Sequence, residues 1–557
     1  MRTIRLSTKP QKNIDFNFLI EKYKNKIDIN NYNFDTNILD LKDVDKAAEL
    51  LIWHMNNNSH IALVTDFDSD GVNSAIVLTK GLRKLLGYKN TSTIVNKRIH
   101  NNGFNPILID RIVSLHKTKK IDLIITADHG SNDNDAFLKL KELCDNVAIL
   151  LTDHHTIKKY PTCVEVFVNP QREDSTYAKS ISGCCTAFLL LVQTFKIKNI
   201  DFKKLYELVP YVAISTITDC MDMKVPYNRF IVEMGLRIMN SERFIIWHIF
   251  KLILKLGIKY SVFDLGFKIG PLINCGNTVN QEETIYNMLM EKDIDKLEEL
   301  INKVIGLNTS RKELTKKYSD ILEENLKDDN TICEIVHVKE RAILNGKIAS
   351  MIGGKYNKPT IIFSKNKDNL YSGSGRGIIN NFNILEIVDK IKNNHNDIIH
   401  THGGHYGALG CTIYPDKFER FRELLNSYTN DILKDREDII EADTFVHPKD
   451  INNYLFSQQE VYGPYGQDYK EPIYVTVVNI DRIFDYGPIA KFMVSLGDYK
   501  LNGVYFFNDT SITKNNVLSF RGKQAYIAFT INLSTFRGSY ELNLNIVRIE
   551  EIKKWVL

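Results

Sequence analysis

The chain lacks a long apolar run, a paired-cysteine motif and a strong excess of charge, and each absence closes off a class of function. Across 557 residues no stretch is apolar and long enough to span a bilayer, and the opening MRTIRLSTKPQKNIDF lacks the apolar core of a secretory signal. A cytoplasmic protein without membrane attachment is expected. The 8 cysteines are scattered and no Cys-x-x-Cys pair occurs. Cys184 and Cys185 are adjacent inside an apolar run, so buried, reduced thiols fit better than a disulfide scaffold or a zinc site. Lys plus Arg of 72 against Asp plus Glu of 68 leaves +4, too little to identify a nucleic-acid partner, so any basic surface must come from local clustering. No G-x-x-x-x-G-K-[ST] is present, which argues against an ATP-driven motor, and no G-x-S-x-G elbow occurs. What remains is ordinary: 43% hydrophobic and 25% charged residues, in a chain long enough for three or four domains with proper cores.

The chemistry concentrates first in Ile61–Ala75, IALVTDFDSDGVNSA. Ile61 to Val64 read as a short buried strand that runs into Asp66, Asp68, Asp70 and Gly71, and the next residues carry the apolar spacing of a helix. Three carboxylates within five residues repel one another unless a cation sits among them, and hard divalent ions favour such oxygen-rich settings. The run opens like an EF-hand loop, but that motif needs Glu at its twelfth position and a helix in front; here the twelfth position is Val77 and a strand precedes. An acidic surface turn would explain one such run, but not its recurrence.

The pattern does recur. IDLIIT ends at Asp128-His129-Gly130, VAILLT ends at Asp153-His154-His155, and YVAISTITD brings Val212 to Ile217 up to Asp219. Near-continuous apolar runs alternating with helix-like stretches predict parallel strands buried on both faces, whose carboxyl-end loops line the ligand crevice. Asp66, Asp68, Asp70, Asp128, Asp153, His154 and Asp219 would then share one crevice. That set suits two ions roughly 3.5–4 Å apart, with Asp153 as the expected bridge, and supports phosphoester hydrolysis. Imidazole beside carboxylate points to Mn2+ as well as Mg2+. The predicted organisation is α/β: a helical lead-in over 1–55, a parallel-sheet domain over 56–285, a helical connector over 286–330, a smaller α/β domain over 331–435 and a small C-terminal β-barrel over 440–557.

The ordered set DFDSDG, TADHG, TDHHT and TITDCMD resembles the DHH phosphoesterase superfamily, and further segments are similar to the RecJ single-stranded-DNA exonucleases. These are Val168-Asn169-Pro170, Gly183 in ISGCCTAFLL, Asn228-Arg229, Gly270-Pro271-x-Ile273-Asn274, GSGRG, Gly403-Gly404-His405 and EVYGPYGQDYKEP before the β-rich region. The resemblance implies a parallel-sheet DHH domain, a DHHA1 domain and an OB-like domain. It also implies 5′→3′ hydrolysis of single-stranded DNA with two Mn2+ or Mg2+ ions in recombination, repair or replication, by a monomer that a single-stranded-DNA-binding protein could recruit. It assigns His155 and His405 to the scissile phosphate. Arg98, Ser374, Gly375 and Arg376 match positions that hold a terminal 5′-phosphate, with Gly403 and Gly404 beside His405, and Phe104 is placed to stack on a terminal base. Phe520, Arg521, Lys523, Tyr526, Phe536 and Arg537 are candidates for the OB surface. Leu272 stands where the family usually has Arg, and Cys275-Gly276-Asn277 replaces its Ala-Gly-Arg character, so one phosphate contact is in doubt. Two other functions compete. DHH phosphodiesterases of short oligonucleotides or cyclic dinucleotides lack the OB-like part, and a catalytically dead scaffold should have lost ligands that are all present here.

Overall fold

A computed structural model describes residues 3–6, 16–23, 31–100, 103–241, 243–324, 326, 329–336, 342–379, 382–405, 407–434, 439–486, 489–496, 499–507, 514–536 and 539–552. The chain forms two compact units. One comprises 23–309 and 462–471; the other comprises 1–22, 310–461 and 472–557.

The first unit is built on a five-stranded parallel sheet. Its spatial order is Thr91–Val95, Ile61–Thr65, Leu123–Ala127, Ala148–Thr152, Val166–Val168. The Ile61–Thr65 and Leu123–Ala127 strands are buried along their whole length, as apolar runs covered on both faces must be. Register is what creates the site. Thr65 pairs with Ala127, and Ala127 with Thr152, so the strands end level and Asp66, Asp128 and Asp153 leave the sheet along one edge. The chain order reverses beside Ile61–Thr65, which has the second strand on one flank and the third on the other; ligands in open α/β sheets bind at such a switch point.

Val212 to Ile217, expected as a fourth strand, belongs instead to the helix Val209–Thr218, and Asp219 is its C-cap. A short apolar run carries no period that separates a buried strand from a buried helix. Here Pro210 in the first turn suits a helix start, and Val209 to Thr216 are buried all round. This helix and Gly183–Ile197, also buried for most of its length, pack on Ser69–Lys80. The fifth strand, Val166–Val168, is too short to have been read as one.

The expected lead-in over 1–55 is divided. Thr3–Leu6 is a strand that pairs in parallel with Ile439–Ala442 in the second unit, whereas the helix Val44–Asn56 belongs to the first. The connector contains a 30-residue helix, Ile294–Glu323, and the boundary between the units falls inside it. The second unit holds a mixed five-stranded sheet ordered Ile399–His405, Ala408–Ile413, Tyr371–Arg376, Thr360–Lys365, Ile332–Val336. It also holds a barrel. Tyr474–Asp485, Ile489–Leu496, Tyr499–Phe506, Ser539–Glu551 and Gln524–Phe536 pair in turn, and Gln524–Phe536 closes back on Tyr474–Asp485. Closure into a five-stranded barrel is the OB architecture and removes the free edges.

Candidate active site

The first carboxylate group is fixed by a helix start. Asp68 caps Ser69–Lys80, accepting from the backbone N–H of Asp70 at 3.0 Å and of Gly71 at 3.2 Å. A Cβ on Gly71 would lie 2.3 Å from the carbonyl carbon and oxygen of Asp66, so only glycine lets the loop fold this tightly. Asp70 points to the N-terminus of Gly183–Ile197, where its carboxylate accepts from Gly183 N at 2.6 Å and Cys184 N at 2.9 Å. Free N–H groups and the helix dipole both favour an anion there. Asp128 is buried and adopts φ 66°, and the absent Cβ of Gly183 leaves room for it, since that atom would lie 2.6 Å from the Asp128 Cβ.

Asp153 is satisfied by four donors. Oδ2 accepts from Ser131 N at 3.0 Å; Oδ1 accepts from His154 N at 2.7 Å, from His155 N at 3.3 Å and from His155 Nδ1 at 2.8 Å. Burial alone would raise this carboxyl, but the hydrogen bond and charge of His155, with His154 and Ser131, hold it well below the usual range. The same pairing acts on His155: burial lowers it, and the Asp153 hydrogen bond with the charges of Asp153, Asp66 and Asp219 outweighs that and raises it to about 10. Its side chain is 49% exposed, so it is a charged donor at the mouth of the crevice.

His154 behaves differently. Its Nδ1 lies 2.9 Å from the Ile181 carbonyl, which accepts only from an N–H, so Nε2 carries the lone pair of the neutral ring. Burial favours this neutral form by lowering the pKa. Nε2 faces Asp128 Oδ1 at 3.3 Å, Asp219 Oδ2 at 3.5 Å and Asp70 Oδ2 at 3.7 Å. A lone pair aimed at three carboxylate oxygens is repulsive unless a cation lies between them. Asp66 Oδ1 is buried without a hydrogen-bond partner, a second position with unmet demand for positive charge. Asp66, Asp68, Asp128 and Asp219 are all held above the ordinary carboxylate range, by burial first and by neighbouring carboxylates second. Asp70, His154 and Asp219 have candidate ligand atoms within 4.8 Å of one another, and Asp128 and His154 form an overlapping group with His155, whose charged ring could ligate only after losing its proton. The donor chemistry therefore fits divalent cations, with mixed carboxylate and imidazole ligands.

The remaining expected residues are placed as follows. Arg98 lies over the Phe67 ring at 5.9 Å, and burial lowers its pKa while Asp68, Asp66 and Glu282 act to raise it. Phe104, expected to stack on a terminal base, is only 6% exposed and packs against His129 at 4.7 Å and Phe137 at 4.6 Å. Its ring belongs to the core under the sheet, so its face is closed to a base. In the second unit, Ser374 and Gly403 both pair with Gly410, Gly375 and Gly404 with Leu409, and Arg376 and His405 with Ala408. Arg376 and His405 thus occupy one row across the sheet, although the His405 side chain lies outside the described residues. On the barrel, Phe520 is buried, Arg521 and Lys523 are exposed and Tyr526 is half-buried; the Phe536 side chain and Arg537 fall outside the described residues.

Four further residues support the site, and two of them, Glu282 and Asp133, carry no signal in the sequence alone. Glu282, 1% exposed, accepts from Arg98 N at 3.2 Å, and Asp133 accepts from Phe104 N at 3.1 Å, so both brace the segment that carries Arg98. Asn274 accepts from Ser69 N at 2.9 Å, and Asn169 donates to Ser131 Oγ at 2.8 Å and to the His155 carbonyl at 3.0 Å. The Asn169 and Asn274 motifs were legible, but their partners lie up to 205 residues away and only folding reveals them.

Three family models match in the order of the fold: the DHH family N-terminal domain over residues 60–214, the DHHA1 domain over 331–431 and the RecJ OB domain over 442–548. The single-stranded-DNA-specific exonuclease RecJ of Escherichia coli (strain K12) is 24% identical over 536 residues, covering 91% of this chain and 90% of that protein. The protein of the same name from Haemophilus influenzae is 25% identical over 548 residues, covering 92% and 91%. The crystal structure of RecJ in complex with Mn2+ from Thermus thermophilus has the same fold, with a TM-score of 0.74 at 20% identity, covering 93% of this chain and 72% of that one. With all three domains matched in order and its DHH motifs gathered at one sheet edge, the chain belongs to the RecJ family of DHH/DHHA1 phosphoesterases.

Proposed function

We propose that this chain is a metal-dependent exonuclease that hydrolyses phosphodiester bonds of single-stranded DNA from the 5′ end. The observation that carries the reading is the neutral Nε2 of His154 facing three carboxylates at 3.3–3.7 Å, an arrangement that calls for a cation. Asp66, Asp68, Asp70, Asp128, Asp153, His154 and Asp219 would hold two ions, Mn2+ or Mg2+, and RecJ from Thermus thermophilus has been solved in complex with each of these metals. Bound ions supply an activated water and charge to stabilise the displacement at phosphorus. The chain's own groups do the rest. Asp153 orients both histidines, His154 keeps its lone pair inward, and the half-exposed His155 imidazolium offers a charged N–H to a phosphate oxygen. His405 is assigned to the same phosphate.

Arg98, Ser374, Gly375 and Arg376, with Gly403 and Gly404, are assigned to a terminal 5′-phosphate. A guanidinium can grip a dianion with two parallel hydrogen bonds, which an internal phosphate exploits less well. The closed barrel supports a single-strand platform and argues against enzymes of very short oligonucleotides. We place the enzyme in the cytoplasm as a monomer that a single-stranded-DNA-binding protein can recruit. Among the described residues no helix is long and apolar enough to cross a membrane.

Digestion of 5′-labelled and 3′-labelled single strands, duplexes and dinucleotides with Mn2+, Mg2+ or EDTA tests the reading. Single strands should shorten from the 5′ end only when a divalent ion is present. Activity confined to dinucleotides, or undiminished in EDTA, would refute it.

A further inference from the structure

The first unit has an open sheet edge away from the crevice. Thr91–Val95 is an outermost strand, and beside it runs a groove of about 610 Å3 lined by this strand, by Arg83 and by the outer face and end of the helix Pro106–Thr118. Ladder alternation fixes which backbone groups face this groove. Asn90 O and Asn96 N bond inward, to Ile61 N and Thr65 O, so the backbone groups of Thr91, Thr93 and Val95 turn outward.

Two arginines hold the ends of this row. Arg83 donates to Thr91 O at 2.7 Å and Arg111 donates to Val95 O at 3.0 Å, which leaves the Thr93 N–H and C=O between them facing the groove. The two walls lie on opposite faces of the sheet. Thr91 and Thr93 point their hydroxyls to Arg83 and Thr79, on the side of the helix Ser69–Lys80, whereas Ile94 packs among Leu108, Ile109 and Ile112 of Pro106–Thr118. The helix wall presents Ile107 (46% exposed), Arg111 and Leu115, with Lys119 just beyond its end. The lining holds Arg83, Arg111 and Lys119 against one acid, Asp110, and the exposed Glu283 outside it pairs with Arg111 at 3.5 Å and with Lys97 at 3.4 Å.

We propose that this edge is a docking site for an extended acidic peptide segment of a partner protein. The segment adds as a sixth strand beside Thr91–Val95, bonds through its backbone to Thr93, and sends carboxylates alternately to Arg83 on one wall and to Arg111 and Lys119 on the other. Strand addition supplies main-chain hydrogen bonds, and the alternation of side chains supplies selectivity. Charge complementarity selects carboxylates. The outward N–H and C=O of Thr93 select a polypeptide, whose backbone offers a matching acceptor and donor, over a nucleic-acid strand, which does not.

The test measures anisotropy of a fluorescein-labelled Glu-Glu-Val-Val-Glu-Glu peptide, whose adjacent glutamates put carboxylates on both faces of a strand, on the full-length protein in EDTA. Binding should be saturable, should weaken at least about tenfold when alternate peptide nitrogens are methylated, and should weaken similarly when Lys replaces Glu. Arg83→Ala/Arg111→Ala should weaken it by about the same factor while leaving hydrolysis of single-stranded DNA unchanged. Two results would overturn the proposal without any variant. One is equal binding of the methylated peptide, which would make the arginines only a protective charge on an exposed edge. The other is displacement of the peptide by oligothymidylate, which would assign the groove to nucleic acid.

Discussion

Gly183→Ala is the smallest change that should reach two of the proposed metal ligands at once. Gly183 opens a buried helix, its N–H holds Asp70 at 2.6 Å, and its Cα faces Asp128. The added methyl would sit 2.6 Å from the Asp128 Cβ and 2.7 Å from its Cα, where ordinary contact begins at 3.4 Å, so the atoms must part by about 0.8 Å. Asp128 cannot give easily, because it is buried, holds φ 66° and directly follows a central strand. Overpacking of this kind costs about 1–3 kcal/mol, while Ala regains up to about 1 kcal/mol of helix propensity over Gly, so stability should fall only slightly. Catalysis has no such compensation: a misplacement near 1 Å costs about a hundredfold in rate. The expected outcome is turnover on 5′-labelled single strands reduced about a hundredfold, with a melting temperature lowered by a few degrees and a smaller thermal shift on adding Mn2+. Turnover within about threefold of wild type by a folded Gly183→Ala protein would refute the claim that this contact sets the position of Asp128.

Asp153→Ala should abolish hydrolysis. Because it strands four donors in a buried site it should also lower stability by about 3 kcal/mol, whereas Asp153→Asn, which keeps an acceptor, should fold well and remain inactive; an active Asn variant sinks the role of the charge. If Arg376 reads the strand end, 5′-phosphorylated strands are degraded faster than 5′-hydroxyl strands and Arg376→Ala erases the difference; equal slowing of both would make the arginine only channel charge. Lys80, whose Nζ donates to Tyr211 Oη at 2.7 Å, is brought down by burial to about 8 from 10.5. The unfolded chain therefore binds this proton more tightly, and the penalty is complete below pH 8 and disappears as pH rises past 10.5. Lys80→Met should remove that dependence, so its advantage over wild type in urea unfolding should be about 2 kcal/mol larger at pH 7.5 than at pH 9.5; an advantage independent of pH would mean the lysine is not desolvated.

The sequence by itself determined the strands whose apolar runs end at Asp66, Asp128 and Asp153, because full burial on both faces writes a continuous hydrophobic signal into a few adjacent residues. It also determined the ordered motifs, the β-rich C-terminal region and the residue types that suit divalent cations. It could not determine that Val209–Thr218 is a helix, since a buried helix and a buried strand of similar length are both apolar throughout. Nor could it tell that Phe104 faces the core: a single aromatic beside a glycine has no periodicity to report its side. Only the tertiary structure decided which groups share the crevice and in what state. The level register of the strands brings Asp128 to His154, the start of Gly183–Ile197 fixes Asp70, and the Ile181 carbonyl turns the His154 lone pair inward. These contacts join residues tens to more than a hundred positions apart, and local sequence carries no term for a distance that only packing sets.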